Sequence, residues 1–420
     1  MRPAAPAITI PTTLAGAPWL ERPETRAVLA ALAAAGHESR IVGGTVRNAL
    51  LDEPVTDIDI ATTAKPDEVM AAANAAGLQA IPTGASHGTV TVVANHVPFE
   101  VTTLREDVET FGRHARVAFT ADWAADARRR DFTINALYCD ADGAISDPVG
   151  GLPDLAARRV RFIGDARARI REDALRILRF FRFHARYSTG PVDAEGLAAC
   201  ADEHHMLAHL SAERVRAELL KLLEAPGAAE MIAVMATHGF LVAILGRAPR
   251  IGTLTRLVAQ DGERKRSADP LLRLSVLAVA VEEDRAHLAE RLRLSREEAR
   301  ALVVIDPRLM ALAALDDRER RRALYASGVD SWRRMVMAGC ASAESAADVA
   351  AWEMLAALPG QWSVPEFPLG GRDALALGLA PGPAVGALLA EIEAEWIAGD
   401  FALDTEGLRA RLAARARDSH

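Results

Sequence analysis

The feature that most constrains the fold of this chain is a change of residue pattern near residue 147. Before that point, short apolar and β-branched runs that indicate strands alternate with helical segments, whereas after Gly150 long Ala, Leu and Arg segments with a period of 3.6 residues dominate. Strands are predicted at residues 40–43, 56–61, 88–94, 97–104 and 134–140. Helices are predicted at residues 66–76, 166–187, 211–223, 270–292 and 384–398. The predicted fold class is therefore α+β, with a mixed-sheet head followed by an all-helical remainder.

The same pattern predicts domain boundaries. The domains expected are a head (1–150), a helical neck (151–235) and a helical body and tail (236–420). In the head, Asn95 and His96 separate two strand patterns and predict a tight hairpin turn. Gly and Pro residues between 359 and 383 predict a surface loop before the last helices.

The composition is that of an ordinary globular protein, since 50% of the 420 residues are hydrophobic and 25% are charged. No apolar run reaches the roughly 18 residues of a membrane span, and no leader pattern is visible, so no membrane partner is expected. Cys139, Cys200 and Cys340 are far apart and predict neither a disulfide framework nor a zinc site. These observations favour a reducing, cytoplasmic location.

The charge distribution is more informative than the net charge of −8. Between residues 158 and 186 the chain has ten arginines, opposed only by Asp165, Glu172 and Asp173. A local basic stripe in an acidic protein is a candidate track for phosphates.

The first chemical motif is a pair of aspartates in the strand predicted at 56–61. Alternation along a strand places Asp57 and Asp59 on one face, with Cα atoms about 7 Å apart, and Ile58 and Ile60 on the other. Mg²⁺ prefers one or two carboxylates together with phosphate oxygens and water. Asp57 and Asp59 are therefore candidate metal ligands and catalytic residues; the alternative is a polar strand face in water.

A glycine pair lies upstream of these aspartates. Gly43 and Gly44 end a predicted strand and allow backbone N–H groups to approach an anion, and Arg47 follows in the first helical turn as a possible fork donor to phosphate. Alone, such a pair is usually only a turn. Together with two aspartates on one strand face, it predicts a site for a metal-bound triphosphate.

A third carboxylate comes from a neighbouring strand. Glu100 alternates with the apolar residues Val97, Phe99 and Val101, so it lies on the opposite face of its strand. It is a candidate for completing the metal cluster or for acting as general base; an exposed strand glutamate is the alternative.

Several sequence blocks together resemble one family. The chain resembles the class II tRNA nucleotidyltransferases and bacterial poly(A) polymerases of the DNA polymerase β-like superfamily over roughly residues 40 to 225. The blocks are Gly43-Gly44-Thr45-Val46-Arg47, Asp57-Ile58-Asp59, Arg129 to Leu137, Asp147 to Leu152, Glu172 to Arg179 and Ser211 to Val215. The resemblance implies a nucleotidyltransferase head, a helical neck, body and tail, and metal-dependent transfer of nucleotides to RNA.

The block from Arg129 to Leu137 is expected to contact the nucleotide. Arg130 can neutralise phosphate charge, and Asp131 and Asn135 can hydrogen-bond ribose hydroxyls, which would select ribonucleotides. The alternative is that Asp131 and the arginines form a structural salt bridge.

The block from Glu172 to Arg179 predicts base recognition. On a continuous helix, Asp173 and Arg176 would lie one turn apart on one face, with Arg179 nearby. A carboxylate only accepts hydrogen bonds and a guanidinium only donates them, which complements the edges of cytosine and adenine and repels those of guanine and uracil. Such a pair discriminates by about 1–3 kcal/mol. The alternative is a surface ion pair contributing less than about 1 kcal/mol.

The chain also departs from the family pattern at three positions. Asn48 stands where many members have Asp, Asp52 where Gly is usual, and Phe111 where Asp commonly precedes Gly112. None of these removes a predicted metal ligand, but Phe111 lies in the loop thought to move between C and A addition.

The function predicted from the resemblance is template-independent CCA addition to tRNA, with CTP and ATP as substrates, Mg²⁺ as cofactor and no obligate protein partner. His87 to Val92 and the Glu100 strand resemble the CCA-adding branch, and no long basic tail follows. Poly(A) synthesis is the first alternative, because the same head serves it. A non-catalytic tRNA-binding protein is the second, and is disfavoured because Asp57, Asp59, Asp173 and Arg176 are all present.

Overall fold

The computed structural model describes residues 8–85, 88–111 and 114–418. The chain divides into two compact units, Met1–Pro249 and Arg250–His420. The first unit contains both the predicted head and the predicted neck. The finer division at residues 150 and 235 stays a prediction.

The sheet of the first unit is mixed, as predicted. Its strands are β1 (Ser39–Val42), β2 (Asp59–Thr62), β3 (Gln79–Gly84), β4 (Thr89–Ala94), β5 (Val97–Thr103), β6 (Arg105–Phe111), β7 (His114–Phe119), β8 (Tyr138–Cys139) and β9 (Ile145–Ser146). Seven strands form one sheet in the order β3-β4-β5-β2-β1-β8-β9, and β6 and β7 form a separate pair. β2 and β5 run parallel, while the other neighbours are antiparallel.

The predicted hairpin turn is confirmed. Asn95 and His96 have φ angles of 45° and 66°, and β4 and β5 pair directly across them. Two left-handed residues are what a type I′ turn requires, and asparagine accepts this conformation more readily than most residues.

Two predicted strands were too long. The strand expected at 56–61 begins only at Asp59, and residues 134–140 divide into a 3₁₀ helix (Thr133–Asn135) and the short β8. The 3₁₀ turn is stabilised by a hydrogen bond from the Asn135 amide group to the Asp131 carboxylate, at 2.9 Å. β3, β6, β7 and β9 were missed. Exposed edge strands and charged hairpins lack the apolar alternation that indicates a strand, and β9 has only two residues.

The helices of the first unit pack on the sheet and on one another. They are α1 (Pro23–Ala34), α2 (Gly44–Leu50), α3 (Pro66–Ala75), α4 (Trp123–Arg128), α5 (Gly151–Ala156), α6 (Ala166–Glu172), α7 (Leu175–Tyr187), α8 (Ala194–Asp202), α9 (Ala212–Glu224), α10 (Ala228–Thr237) and α11 (Phe240–Leu245). α7 buries Phe180, Phe181 and Phe183. Phe132 and Phe162 lie against Phe180 at ring-centroid distances of 6.3 and 5.3 Å, so one aromatic core joins α7 to the end of the head.

The continuous helix predicted for 166–187 was wrong. α6 ends at Glu172, and Asp173 has extended angles of φ −152° and ψ 105°. The Asp173 carboxylate accepts a 3.1 Å hydrogen bond from the Leu175 N–H, so this side chain competes for the backbone and starts a second helix. The single helix predicted for 270–292 was also wrong, because the chain forms two helices there. At the start of the second helix, the Asp284 carboxylate accepts hydrogen bonds from the N–H groups of Ala280 and Val281.

Within the described residues of the second unit, the regular elements are helices. Its helices are α12 (Ile251–Glu263), α13 (Pro270–Ala278), α14 (Glu282–Arg291), α15 (Arg296–Ala301), α16 (Pro307–Ala311), α17 (Asp317–Ser327), α18 (Val329–Ser342), α19 (Ala346–Gln361), α20 (Gly371–Ala376), α21 (Pro383–Ala398) and α22 (Thr405–Asp418). The predicted loop at 359–383 therefore contains one short helix. Among the helices described, none is long and apolar enough to cross a membrane.

Candidate active site

Three carboxylates meet at the centre of the sheet. Asp59 lies directly opposite Glu100 in the parallel register of β2 and β5, and Asp57 lies two residues before Asp59. All three are exposed, while Ile58 and Ile60 are buried on the other face. The predicted face is therefore correct, although Asp57 precedes the strand instead of lying within it.

These carboxylates repel one another. Partial burial raises the pKa of Asp59, and the charges of Glu100 and Asp57 raise it further, while Arg130 opposes the shift. Within the described residues, no group of three or more His, Cys, Asp or Glu side chains is arranged to hold a metal by itself. The arrangement fits a cation that also takes phosphate oxygens and water as ligands, as Mg²⁺ prefers.

The glycine turn lies beside these groups. Gly43 has φ 72° and is followed directly by α2, which explains the need for glycine. A Cβ atom on Gly43 would lie 3.6 Å from Arg130 and from the Asn135 carbonyl. The Thr45 hydroxyl donates a 2.7 Å hydrogen bond to the Asp57 carbonyl, so α2 also positions the aspartate segment.

Arg130 is oriented toward this site by a buried carboxylate. It donates hydrogen bonds of 3.0 and 3.3 Å to Asp126, which also accepts from Tyr138 at 2.8 Å. Burial would raise the pKa of Asp126, but Arg130 and Arg129 outweigh it and the pKa is lowered. Arg130 is thus held as a cation within electrostatic reach of Asp59.

Arg47 is buried within the protein and does not point outward as a bidentate donor to phosphate. Its side chain is 6% exposed and donates to Asn135, to Asn48 at 2.9 Å and to the Tyr187 hydroxyl at 2.6 Å. Its guanidinium also lies 4.1 Å from the centre of the Tyr187 ring. Burial lowers the pKa of Arg47, with Tyr187 and Asp131 opposing. The sequence indicated an exposed donor because nothing local reveals partners from residues 135 and 187.

A buried hydrogen-bond chain continues from Asn135 to α7. Asp131 accepts from Asn135 through Oδ1 and from the Arg179 Nε atom through Oδ2 at 2.7 Å. Burial would raise the pKa of Asp131, but Arg179 and Asn135 lower it below its usual value. The salt bridge considered as the alternative role for Asp131 is thus present, formed with Arg179 and not with Arg130.

Asp173 and Arg176 lie close in the chain but make separate side-chain contacts. Asp173 Oδ2 accepts a 2.6 Å hydrogen bond from Arg214. Arg176 donates to Glu172 and to the backbone carbonyls of Arg169 and Arg129, the last two at 2.6 and 3.2 Å. Because the helix is broken at Asp173, the surface i,i+3 ion pair considered for these residues does not form.

Several residues that position the predicted site were given no role from the sequence, although Glu172 and Arg214 lie within the family blocks. They are Asp126, Glu172, Tyr187, Arg214 and Glu218. Glu218 lies on the buried face of α9 with Leu219 and Leu222 and accepts from Arg182 at 2.5 Å. A carboxylate on an apolar helix face is a signal for a buried ion pair, and could have indicated this one.

The arginine stripe is largely neutralised within the chain. Nine of its ten arginines, all except Arg158, form ion pairs. Most of the carboxylates involved come from outside the window 158–186. The stripe is therefore a structural ion-pair network as much as a candidate phosphate track.

Two departures from the family pattern have local explanations. Asp52 has φ 55°, the left-handed region where glycine is favoured and aspartate is tolerated. Asn48 donates to the Pro54 carbonyl at 3.1 Å and accepts from Arg47. His87 and Gly112 lie outside the described residues, as does the side chain of Phe111.

Two family models match this chain. The model described as "Poly A polymerase head domain" matches residues 39–161. The model described as "Probable RNA and SrmB- binding site of polymerase A" matches residues 191–250.

Curated relatives and a solved structure agree with these matches. The mitochondrial CCA tRNA nucleotidyltransferase 1 of Mus musculus is 36% identical over 382 residues, covering 89% of this chain and 86% of the relative. The CCA-adding enzyme of Geobacillus thermodenitrificans is 41% identical over 228 residues, covering 53% and 55%. The structure of the Bacillus stearothermophilus CCA-adding enzyme in complex with CTP superposes with a TM-score of 0.68 at 27% identity, covering 95% of this chain and 99% of that one. This chain is an RNA nucleotidyltransferase that belongs to the class II CCA-adding tRNA nucleotidyltransferase family.

Proposed function

We propose that this enzyme adds C, C and A to the 3′ end of tRNA, using CTP and ATP and releasing pyrophosphate. The main support is the register that holds Asp59 opposite Glu100, with Asp57 beside them, next to the glycine turn and Arg130. The names of the relatives, which include a CCA tRNA nucleotidyltransferase at 36% identity, favour tRNA as the acceptor. tRNA, CTP and ATP are the partners we propose, without an obligate protein partner.

Metal dependence is a property of this family, and we propose Mg²⁺ as the metal. Asp57 and Asp59 would hold it, because they are exposed carboxylates on one side of the sheet with a repulsion that a cation would relieve. Bound Mg²⁺ would supply activation of the attacking hydroxyl and charge neutralisation at the leaving pyrophosphate. Glu100 would complete the ligand set or accept the proton of the 3′ hydroxyl.

The residues around the carboxylates would bind the nucleotide. The Gly43–Gly44 turn leaves room for phosphates near the backbone, and Arg130 would balance their charge. Asp131 and Asn135 would hydrogen-bond the ribose only through the capacity left over from their mutual bond and from their bonds to Arg179 and Arg47. Arg47 and Arg179 would act mainly by holding this region in place.

Asp173 and Arg176 would read the base edge. Arg214 fixes Asp173 Oδ2, yet each carboxylate oxygen retains a free lone pair for an exocyclic amino group. Arg176 has five N–H donors, of which the contacts to Glu172, Arg169 and Arg129 use three. A positioned acceptor and a positioned donor remain, which is the polarity that cytosine and adenine require.

Poly(A) synthesis is the alternative activity, favoured by the head model named for poly(A) polymerase. The test uses three tRNA transcripts, whose 3′ ends lack CCA entirely, carry C or carry CC. Each transcript is incubated with single NTPs or with an equimolar NTP mixture, in the presence of Mg²⁺ or of EDTA. The proposal expects CCA and then arrest. Long A tails on any RNA would favour the alternative, and absence of incorporation with intact tRNA binding would favour the non-catalytic protein. The double variant Asp57→Ala, Asp59→Ala is the inactive control.

We propose a cytoplasmic location. Cys139, Cys200 and Cys340 are free and buried, which supports a reducing compartment. The vertebrate relatives are named as mitochondrial, so mitochondria are the alternative. Cell fractionation with an antibody to the chain would distinguish the two.

A further inference from the structure

The second unit contains a cavity that the proposed active site does not use. Its volume is about 400 Å³, and it is lined by segments of α14, α15, α16 and α18 and by the residues between α15 and α16. Leu302, Leu309 and Met335 contribute apolar surface. Such a volume falls within the roughly 300–1,000 Å³ typical of small-ligand sites.

Four arginines line this cavity: Arg285, Arg300, Arg308 and Arg334. Arg285 is paired with Glu282 at 2.5 Å and Arg334 with Asp269 at 2.8 Å. Arg300 and Arg308 are exposed, and among the described residues their guanidinium groups have no hydrogen-bond or ion-pair partner.

The cavity is basic. Asp306 is the one carboxylate among the lining residues. When Glu282 and Asp269, the partners of Arg285 and Arg334, are counted with it, four arginines less three carboxylates leave a charge of +1. Asp306 accepts hydrogen bonds from the N–H groups of Arg308 and Leu309, each at 3.0 Å, so it caps α16. Arg300 and Arg308 are unpaired cations beside the apolar side chains of the lining, in a chain of net charge −8. This combination indicates an anionic ligand with an apolar part.

A nucleotide has this chemistry. Its phosphate suits the forked donors of Arg300 and Arg308, and its flat base suits the leucine and methionine surface and the face of a guanidinium. An RNA duplex is too wide for such a cavity, whereas one unstacked nucleotide is not. We propose that this cavity binds a single nucleotide, either an unstacked residue of the RNA substrate or a free nucleotide. The RNA form of this inference rests on the function proposed above.

The variants test separately whether the charge of the cavity and its open volume are needed for binding. Arg300→Gln, Arg308→Gln removes the two unpaired cations at exposed positions. Ser331→Trp places a large side chain at an exposed position on the cavity lining and obstructs it without changing charge. Arg318→Gln, at an exposed arginine of the same unit that is not part of this lining, is the matched control. Circular dichroism checks that each full-length variant is folded.

The RNA arm measures tRNA binding by fluorescence anisotropy across a range of salt concentrations. Arg300→Gln, Arg308→Gln should bind at least about 10-fold more weakly at low salt, with a salt dependence reduced by about 0.7 log units for each lost phosphate contact. Ser331→Trp should also weaken binding although all four arginines remain, and should lower the salt dependence by no more than the double variant does. Arg318→Gln should match the parent chain within about two-fold.

The nucleotide arm measures equilibrium dialysis of CTP and of ATP against the full chain. A free-nucleotide site predicts a stoichiometry of two that falls to one in both cavity variants, with unchanged tRNA affinity. The proposal is overturned if both cavity variants retain parental tRNA affinity and parental nucleotide stoichiometry. CCA addition by the parent chain is measured on the same preparation. If the parent adds CCA while the cavity variants change neither tRNA binding nor nucleotide stoichiometry, the cavity proposal is refuted and the proposed function stands.

Discussion

Asp173 and Arg214 are joined by a 2.6 Å hydrogen bond across the break between α6 and α7. Arg214 belongs to α9, so the proposed base-reading carboxylate is oriented from a separate helix through Oδ2, as well as by the Leu175 N–H of α7 through Oδ1. The side chains of Asp173 and Arg214 are 32% and 29% exposed, which leaves the carboxylate accessible to a ligand. This relationship makes base selection testable apart from metal chemistry.

Replacing Asp173 with Ala should change which nucleotide is used. The substitution removes the acceptor for the amino group of C and A and the repulsion against the carbonyl of U and G. Discrimination should fall by about 1–3 kcal/mol, or roughly 5- to 150-fold, while incorporation continues. Sequencing of 3′ ends made from an equimolar NTP mixture measures this. The control is Asp202→Ala, which breaks the exposed ion pair with Arg167. If Asp173→Ala still makes tails of only C and A, the base is recognised elsewhere.

Replacing Asp59 with Ala should abolish most catalysis without unfolding the chain. Nucleotide incorporation should fall by at least about 10²-fold, because charge stabilisation in the transition state is lost. The melting temperature should not fall, because Glu100 and Asp57 already disfavour the ionised Asp59. Single-turnover incorporation and thermal unfolding are measured together, with Asp67→Ala, an exposed aspartate of α3, as control. Near-normal turnover by Asp59→Ala would refute the metal assignment.

Local sequence patterns predicted the elements that build the site. The alternation of Asp57, Ile58, Asp59 and Ile60 correctly predicted which face is buried, because period two is a property of any strand. The turn at residues 95–96 followed from its length of two residues. The α+β class followed from the loss of strand patterns after the head.

Long-range partners could not be predicted in this way. Arg47 looked like an exposed phosphate donor, yet its partners include Tyr187, 140 positions away. The arginine stripe looked uncompensated because its carboxylates are supplied by other elements. The break at Asp173 was missed because a single side chain-to-backbone hydrogen bond outweighs the helical periodicity on either side.

Replacing Tyr187 with Phe should destabilise the first unit. The Tyr187 hydroxyl accepts a 2.6 Å hydrogen bond from the buried Arg47, and its loss leaves a charged donor with one partner fewer. We expect a loss of about 1.5–3 kcal/mol in the free energy of unfolding. Urea denaturation measures it, with Tyr325→Phe as control, since Tyr325 donates to Glu393 at a half-buried position and should cost less. Equal losses in the two variants would contradict a special role for the Arg47 network.

Replacing Gly339 with Ala should destabilise the second unit. A Cβ atom at Gly339 would lie 2.3 Å from the ring of Trp352, which is fully buried between α18 and α19. The required shift should cost about 1–3 kcal/mol. Gly386→Ala is the matched control, because no atom lies within 4 Å of its Cβ position in α21 and helix propensity should stabilise it by up to about 1 kcal/mol. Thermal unfolding should shift in opposite directions, and a shift of the same sign in both would refute the packing argument.

Replacing His184 should remove part of the acid sensitivity of the fold. Burial in α7 against Phe180 lowers the pKa of His184 to about 4, with the backbone of Val160 opposing, whereas an unfolded histidine has a pKa of about 6.5. Below that value the unfolded state binds a proton that the folded state rejects, so stability falls as the pH drops through 6.5 and the loss levels off below about 4. The expected loss between pH 7.5 and 5 is about 2 kcal/mol. Urea unfolding at both pH values measures the difference in the free energy of unfolding. The parent chain and His205→Leu, a variant of an exposed histidine, should show the full difference. In His184→Leu the difference should be smaller by about 2 kcal/mol. An unchanged difference in His184→Leu would assign the acid sensitivity to other groups.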